Sequence, residues 1–314
     1  MFQLYSAAGP IAAIPDPTAV TVGVFDGVHR GHRHLIHQLA TLDSSLSPLV
    51  VTLSAHPSFV LGLNPNDPWL DDPDEHLRLL FEAGASYVAV MPFTADVARM
   101  TACGMAQMMF DQLNMRSLLL GYDSRFGSKQ GDDFSHLPQL ASQLGFDYRH
   151  ADPFLVDGNP VSSSRIRNTL ISGDVSMAAR LLGCSAYAVR GVVVHGRGVG
   201  RSLGFPTANV DTSASRKMMP GEGVYQVSLA VAADPVGSSS VATAIGIANL
   251  GAAPTFGIQR PTLEVHLIDF SGDLYGSQVE VRFLRRLRDT VRFDTPEALQ
   301  VQLQHDLEQA RLWS

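Results

Sequence analysis

The feature that most constrains the fold is a segment in which an apolar run, a glycine turn and a histidine-rich helix start follow one another. The run from Ala19 to Val24 predicts a buried parallel strand. It breaks at Phe25-Asp-Gly27, and an amphipathic helix is predicted from about Gly31. A strand, a turn and a helix start in this order, within Thr21 to Ile36, predict an α/β unit with a ligand site at the turn.

Two histidines after this turn suggest that it binds a reacting group. His29 and His32 are three residues apart, so both imidazoles can lie on one side of the first helical turn. The unpaired N–H groups and the dipole at a helix N-terminus attract an anion. Imidazoles added there suit a phosphoryl group that gains charge in its transition state. Zinc at the two histidines is a minor alternative, because no carboxylate or cysteine lies at metal-ligand spacing.

The rest of the first half alternates strands with helices, which predicts a doubly wound parallel sheet. The predicted strands are Pro48–Leu53, Tyr87–Met91 and Ser117–Gly121, and the clearest helices are Asp74–Glu82 and Thr101–Leu113. Ser162 to Arg167 then offers serine hydroxyls and arginine guanidiniums at a helix start, which suits a polyphosphate. The alternative is an ordinary serine N-cap with a solvated arginine.

The pattern changes after Gly183, where strands follow one another without intervening helices. This predicts a small antiparallel β-barrel, with strands at Tyr187–Val194, Gly223–Val231, Val241–Asn249, Thr262–Ile268 and Val279–Leu284. Thr295 and Pro296 begin a terminal helix, whose stripe of Leu299, Leu303, Leu307 and Ala310 is predicted to pack on the barrel. Val231 to Ser240 is predicted to be a hairpin loop. The domains are therefore predicted to be residues 1–184 and 185–314.

Two features of the second half suggest chemistry. The glycine-rich stretch from His195 to Asn209 cannot open a helix as a dinucleotide loop does, because Phe205-Pro206 prevents it. Thr207 and Asn209 share one face of the extended segment that follows, where their oxygens suit Mg²⁺ or phosphate, unless the stretch is only a flexible β-turn. In the predicted strand around Glu264, period two places that residue with His266 and Ile268 on one face. The carboxylate then either faces solvent or lines a cavity as a general base.

Composition limits the class of protein. A length of 314 residues predicts about two domains, and a formal net charge of -7 argues against broad nucleic-acid or anionic-membrane binding. No apolar run has membrane-spanning length, and the N-terminus lacks a signal-like pattern, so a cytoplasmic location is predicted. Cys103 and Cys184 stand in unrelated contexts, which argues against a disulfide framework.

Taken together, the motifs resemble those of the bacterial bifunctional riboflavin kinase/FAD synthetase (FMN adenylyltransferase) family along nearly the whole chain. In the first half the resemblance lies in Gly23-x-Phe-Asp-Gly27, His29-x-Gly-His32, His56-Pro57, Gly121 to Asp132 and Ser162 to Arg167. In the second half it lies in Gly204-Phe-Pro-Thr-Ala-Asn209, Gly223-Val-Tyr225, Asn249-Leu-Gly-x-x-Pro-Thr-Phe256 and Glu264. The Gly204 motif is far more specific than the histidine pair.

The resemblance implies that riboflavin and MgATP give FMN in the barrel, and that FMN and a second ATP give FAD and pyrophosphate in the α/β domain. It implies a catalytic Glu264 that deprotonates the ribityl hydroxyl, and a catalytic pair, His29 and His32, that stabilises the α-phosphoryl transition state. For the kinase it implies ATP binding by Gly196, Gly198, Gly200, Gly204, Phe205, Pro206, Thr207 and Asn209, the last two also holding Mg²⁺. For the adenylyltransferase it implies ATP binding by Gly23, Phe25, Asp26, Gly27, His29, Gly31, His32, Ser162, Ser163, Ser164 and Arg165, and flavin binding by His56, Pro57, Asp123, Arg125 and Phe126.

The chain departs from the family pattern at three positions. Ser164 stands where threonine is usual, Ser124 where an aromatic residue is usual, and His76 where lysine is frequent. Two other hypotheses remain open at this point. In the first, only the kinase is active, and the first domain is slow or serves another nucleotide. In the second, the chain is a flavin-binding or regulatory protein that keeps both folds without turnover.

Overall fold

The computed structural model describes residues 2–54, 68–124, 134–196, 200, 204–231, 243–251 and 261–312. The chain forms two compact units, Met1–Ser163 and Ser164–Ser314. The helical pair before the barrel falls in the second unit, where the Ser176 hydroxyl donates to the Leu284 carbonyl at 3.0 Å. The predicted domain boundary after residue 184 stays a prediction.

The first unit is built on one sheet of seven strands. These strands are β1 (Gln3–Ser6), β2 (Gly9–Ile11), β3 (Thr18–Val22), β4 (Ser47–Leu53), β5 (Tyr87–Met91), β6 (Met115–Leu120) and β7 (Asp147–His150). They lie in the order β2-β1-β5-β4-β3-β6-β7. Five of these strands, β5, β4, β3, β6 and β7, run parallel to their neighbours, as predicted. The short, half-exposed β1 and β2 add an antiparallel edge that the sequence pattern did not reveal.

Helices cover both faces of this sheet. The described helices of the unit are α1 (Arg30–Thr41), α2 (Pro73–Glu82), α3 (Ala95–Arg99), α4 (Ala102–Gln112) and α5 (Leu137–Leu144). On β4, Val50 packs in the core under α1 and α2, whereas Leu49 and Val51 pack in the core under α4 and α5. This period-two alternation of apolar side chains to both faces is what a doubly wound sheet requires.

The sheet has a crevice at the carboxyl end of β3. From β3 the chain adds β4 and then β5 on one side, whereas β6 and β7 are added on the other side. The connections that leave β3 and β6 therefore diverge, and ligands of open α/β sheets bind at such a switch point. A small hairpin, β8 (Leu155–Val156) and β9 (Asn159–Pro160), follows β7 and leads to Ser163.

The second unit begins with two helices and continues as a closed antiparallel barrel. Its elements are α6 (Ser163–Ile171), α7 (Val175–Leu182), β10 (Tyr187–Val194), β11 (Ala208–Asp211), β12 (Gly223–Val231), β13 (Thr243–Gly251), β14 (Thr262–Leu267), β15 (Gln278–Arg288) and α8 (Pro296–Arg311). The barrel order is β10-β11-β14-β13-β12-β15. The predicted barrel is confirmed, but its strand β11 was missed because it has only four residues and follows the glycine stretch. The predicted hairpin loop lies outside the described residues beyond Val231.

The terminal helix α8 is anchored on the barrel at its C-terminal end. Thr295 caps it by accepting a hydrogen bond from the Ala298 amide, as predicted. Of the predicted stripe, Ala310 is buried and Leu307 packs against Val224 and Ile247. Leu299, Leu303 and Leu307 all line a cavity between the helix and the barrel, so this part of the predicted stripe faces the barrel.

A buried ion pair joins α8 to strand β15. Asp306 is 1% exposed, and both its oxygens accept hydrogen bonds from the Arg288 guanidinium, at 2.7 to 3.1 Å. Gln302 donates a further bond to Asp306 at 2.9 Å. Arg288 also lines the cavity next to α8, so the pair holds one wall of that cavity in place.

We expect Asp306→Ala to lower the free energy of unfolding by roughly 3 kcal/mol, because it leaves the Arg288 charge uncompensated beside the barrel. Chemical denaturation followed by circular dichroism measures the change. Glu308→Ala, an exposed position on the same helix, should alter stability by less than about 0.5 kcal/mol. Equal effects of the two variants would contradict a structural role for the pair.

Candidate active sites

The connection between β3 and α1 is a left-handed turn. Phe25 and Val28 have φ angles of 55° and 36°, and Gly27 between them has 76°. Left-handed backbone is unfavourable for L-residues, above all for a β-branched one, so only glycine adopts it without strain. Surrounding contacts must therefore hold the turn in this shape. The Asp26 carboxylate accepts a hydrogen bond from the Leu70 amide at 2.8 Å, and the residue is 2% exposed.

The turn delivers two histidines to the start of α1. His29 is the N-cap, and its Nδ1 accepts a hydrogen bond from the backbone amide of His32 at 3.3 Å. The two imidazole rings are stacked, with centroids 3.6 Å apart and planes inclined by 17°. Because Nδ1 of His29 accepts, the hydrogen of its neutral ring is on Nε2, which can act as a donor. The predicted pairing of the two imidazoles on one side of the helix start is confirmed.

Burial sets the charge of His32. Desolvation holds the pKa of His32 well below its usual value, and repulsion from His29 and His76 lowers it further. The residue as a whole is half-buried, but its Nδ1 is buried and has no hydrogen-bond partner among the described residues. At pH 7 His32 is therefore a neutral imidazole, able to donate one N–H bond without carrying charge.

Gly31 allows the rings to stand where they do. A Cβ at this position would lie 3.2 Å from Nδ1 and Cε1 of His29 and 3.2 Å from the carbonyl oxygen of Val161. The carbonyl belongs to the backbone and cannot move away easily, so a side chain here would displace the His29 ring. These close contacts explain why a glycine, and no larger residue, lies between the two histidines.

A small cavity of about 110 Å³ lies at the switch point of the sheet. The sequence-predicted residues that line it are His29, Gly31, His32, Asp123, Ser162 and Ser163. Ser163 also donates from its hydroxyl to the Asp26 carbonyl at 3.3 Å, which ties the end of the unit to the histidine turn. Gly121 and Leu35 complete one wall.

The remaining predicted residues of this site take other places. Gly23, Phe25, Asp26 and Gly27 shape the turn, and the Phe25 ring is 2% exposed and meets His32 edge-on, at 5.1 Å between centroids. Ser164 and Arg165 belong to the second unit, so their action on this site stays a prediction. His56, Pro57, Arg125 and Phe126 lie outside the described residues.

Two residues of the cavity, Asp152 and Phe154, were not predicted from the sequence. Both follow β7, the strand next to β6, at the same edge of the sheet. Phe154 lies 4.8 Å from the Arg30 guanidinium in a cation–π contact, close to the start of α1. The sequence predicts a helix and a short strand in this part of the chain, without bounds. The rule that ligands bind at the carboxyl ends of parallel strands identifies this connection once β7 is placed.

A second site lies on the barrel, where strand register brings polar residues together. Glu264 on β14 is directly opposite Asn209 on β11 and Asn249 on β13. The flanking Leu263, Val265 and Leu267 are buried, whereas Glu264 and His266 are half-buried. The predicted alternation is confirmed, and Glu264 lines a cavity. Its role as a general base stays a prediction.

That cavity has a volume of about 880 Å³, within the range of small-molecule pockets. Its polar wall includes Thr207, Asn249, Glu264 and His266, and its apolar wall includes Phe205 and the α8 residues Leu299 and Leu303. Asn249 and His266 were not among the predicted site residues. Their position on the same strand faces as Glu264 is the signal that identifies them.

The glycine stretch packs closely against the segment from Phe205 to Asn209. A Cβ on Gly196 would lie 2.1 Å from Nδ2 of Asn209, and one on Gly200 would lie 2.3 Å from the Phe205 carbonyl. Gly204 has a φ of 82°, which glycine alone adopts without strain. His266 Nδ1 donates to the Pro206 carbonyl at 2.8 Å and so fixes the approach to Thr207. Gly198 lies outside the described residues.

Neither a metal cluster nor a membrane-spanning helix is found in the part of the chain that the structure describes. Its residues contain no group of three or more His, Cys, Asp or Glu side chains arranged to hold a metal ion. Within the same ranges, no helix is long and apolar enough to cross a membrane.

Comparisons with known proteins match both halves of the chain. Residues 11–165 match the model of a family described as FAD synthetase, and residues 184–314 match that of riboflavin kinase. A crystal structure named as a macrolide-efflux protein from Streptococcus pneumoniae has a TM-score of 0.84 and 30% identity, and the match covers 96% of each chain.

Curated relatives cover both halves at once and share one name, bifunctional riboflavin kinase/FMN adenylyltransferase. The Haemophilus influenzae protein is 33% identical over 297 residues, which are 93% of each chain. The Escherichia coli (strain K12) protein is 34% identical over 291 residues, covering 91% of this chain and 90% of its own. The chain therefore belongs to the family of bifunctional riboflavin kinases/FMN adenylyltransferases.

Proposed function

We infer that this chain converts riboflavin to FMN in its barrel and FMN to FAD in its α/β unit. Riboflavin and ATP give FMN and ADP in the first reaction. FMN and a second ATP give FAD and pyrophosphate in the second reaction. Family models for both activities match separate parts of the chain, and curated relatives carry both in one name.

One observation carries the proposal: each unit has its own cavity, lined by residues suited to its reaction. In the barrel, Glu264 lies inside a cavity of a size suited to a flavin, in the middle of a strand that holds it rigidly. Its carboxylate takes the proton of the ribityl hydroxyl. The hydroxyl oxygen then attacks the γ-phosphorus of ATP, and ADP leaves.

Mg²⁺ bound to ATP belongs to the same proposal. The donor set on the barrel suits a hard cation, since the Thr207 hydroxyl and the Asn209 amide carbonyl would hold it through oxygen. When bound, the ion neutralises charge on the phosphates. Gly196 packs against Asn209 and Gly200 against Phe205 and Thr207, so the backbone amides of the glycine stretch can approach the triphosphate closely.

In the α/β unit, an oxygen of the FMN phosphate attacks the α-phosphorus of ATP, and pyrophosphate leaves. No general base is needed, because the attacking phosphate is already an anion. His29 donates through Nε2 and neutral His32 through its own N–H to the oxygens of the α-phosphoryl group, where charge develops. Ser162, Ser163, Ser164 and Arg165 hold the leaving phosphates, and Asp123 with His56, Pro57, Arg125 and Phe126 lines the flavin site.

The proposal includes a cytoplasmic location. Macrolide efflux, the activity after which the S. pneumoniae structure is named, is not adopted, since both family models and the curated relatives point to flavin chemistry. A direct test incubates the protein with riboflavin, ATP and Mg²⁺ and separates the flavins by chromatography. FAD is expected. If FMN forms without FAD, only the riboflavin kinase activity is supported. If riboflavin is recovered unchanged, the chain is better described as a flavin-binding protein.

Substitutions should separate the two reactions. We expect Glu264→Gln to slow FMN formation by about 10²- to 10⁴-fold, because it removes the base. We expect His32→Ala to slow FAD formation by about 10²- to 10³-fold, because it removes a donor to the developing charge, so FMN accumulates. Steady-state rates with riboflavin and with added FMN measure each step.

Each variant is the control for the other. Glu264→Gln should still make FAD from added FMN, and His32→Ala should still make FMN. Loss of both activities in a folded variant would contradict separate sites.

Gly31→Ala tests the geometry of the histidine turn. The added methyl group meets the His29 ring and the Val161 carbonyl at 3.2 Å, so we expect the ring to shift and FAD formation to fall by about 10- to 100-fold. FMN formation in the barrel should be unchanged. The control is Gly104→Ala in α4, where the nearest atoms belong to the movable side chains of Met100 and Thr101. Full FAD synthesis by Gly31→Ala would refute the steric role of this glycine.

A further inference from the structure

One row of side chains runs across five neighbouring strands of the barrel. Asn209 of β11 is directly opposite Glu264 of β14, and Glu264 is directly opposite Asn249 of β13. Asn249 is in turn opposite Val224 of β12, and Val224 is opposite Arg288 of β15. Residues paired in this way point to the same side of an antiparallel sheet. The five side chains therefore form a continuous row, which we call the cross-strand row.

The cross-strand row follows the cavity between the barrel and α8. Four of its members line that cavity, namely Val224, Asn249, Glu264 and Arg288. Val224 also packs in one cluster with Ala310 of α8, which identifies the side of the sheet that the helix covers. Neighbouring strands are about 4.8 Å apart, so each member of the row is about one such spacing from the next. The order of residues along the row is thus an order of positions along one cavity.

The two ends of the cross-strand row differ in character. At one end Gly196 packs against Asn209, where the triphosphate and its Mg²⁺ are proposed to bind. Towards the other end, the buried Val224 lines the cavity together with Leu299 and Leu303 of α8. Phosphates suit the first end, and a flat apolar ring system suits the second. The middle of the row is left for the part of a substrate that connects the ring to the reacting oxygen.

Asn249 is the residue next to Glu264 in this middle part. It is exposed, and its side chain makes no hydrogen bond with another residue of the part of the chain that the structure describes. A carboxamide donates through its nitrogen and accepts through its oxygen. A hydroxyl group also donates and accepts, so the carboxamide complements a chain of hydroxyl groups. Riboflavin carries such a chain, the ribityl tail, between its ring and the hydroxyl that reacts.

We propose that Asn249 binds the ribityl hydroxyls of riboflavin and so holds the terminal hydroxyl at Glu264. The isoalloxazine ring lies at the apolar end of the cross-strand row, between Val224 and α8. The tail passes over Asn249, and its last oxygen lies between Glu264 and the γ-phosphorus of the ATP bound at the Asn209 end. Asn249 is a substrate-binding residue and takes no part in the proton transfer. This inference rests on the proposed riboflavin kinase activity of the barrel.

The test uses a riboflavin analogue whose tail is a hydroxypentyl chain, which keeps the ring and the terminal hydroxyl but lacks the hydroxyls between them. Initial rates of FMN plus FAD formation in saturating MgATP give kcat/KM for riboflavin, and their inhibition gives the Ki of the analogue. In Asn249→Ala we expect kcat/KM for riboflavin to fall by at least about fivefold, because hydrogen bonds to the tail are lost. The Ki of the analogue should change by less than about twofold, because it makes none of those bonds.

Two controls show that the barrel is intact. The KM for ATP in Asn249→Ala should stay within about twofold of the wild-type value, because the nucleotide binds on the other side of Glu264. Thr243→Ala, at an exposed position at the other end of β13, is the matched variant and should leave both kcat/KM and Ki unchanged. Both variants should still convert added FMN to FAD in the α/β unit.

The outcomes separate this inference from the activity on which it rests. A wild type that forms neither FMN nor FAD from riboflavin would refute the proposed kinase. A wild type that forms FMN, with an unchanged kcat/KM in Asn249→Ala, would overturn the role of Asn249 alone. Equal weakening of riboflavin and of the analogue would also overturn it, because a disturbance of the barrel acts on both. An analogue that does not compete with riboflavin in the wild type would contradict the placement of the ring at the apolar end.

Discussion

The proposed adenylyl site depends on a left-handed turn that the chain adopts only under constraint. Non-glycine residues held in such backbone conformations cost of order 1–3 kcal/mol each, and this turn contains Phe25 and Val28. Three contacts offset that cost, from Leu70 to Asp26, from Ser163 to the Asp26 carbonyl and from Thr52 to the Val24 carbonyl. They come from three separate parts of the first unit. The orientation of His29 is therefore a property of the whole unit, although the motif that carries it is short.

The barrel positions Glu264, the proposed base, without comparable strain. Glu264 lies between Asn209 and Asn249 because three neighbouring strands are in register, and residues directly opposite one another point to the same side of the sheet. The glycines of this site cannot be replaced by larger residues without a shift of the backbone or of Asn209. A Cβ on Gly196 would overlap Asn209, and one on Gly200 would overlap Phe205. The proposed kinase site thus depends on the register of neighbouring strands and on close backbone approach, and the proposed adenylyl site depends on a turn held by contacts from elsewhere in its unit.

The difference between local patterns and contacts that need tertiary packing explains which parts of the fold and of the sites could be predicted from the sequence. The strand, turn and helix start around His29 and the alternation around Glu264 are local patterns, and both are found as predicted. The strands β1, β2 and β11 were missed because each has only three or four residues, too few to show a clear alternation. The hydrogen bond between Thr52 and His76 could not be predicted, because it forms only once β4 and α2 have packed together.

Burial sets the charge of His32 in the proposed adenylyl site. Desolvation penalises its imidazolium, and repulsion from His29 and His76 lowers the pKa of His32 further. A neutral His32 can donate one hydrogen bond to a phosphoryl oxygen without adding positive charge beside the phosphates. An imidazolium in place of neutral His32 would bind the phosphates of ATP and pyrophosphate as tightly as the transition state, which gains nothing in rate.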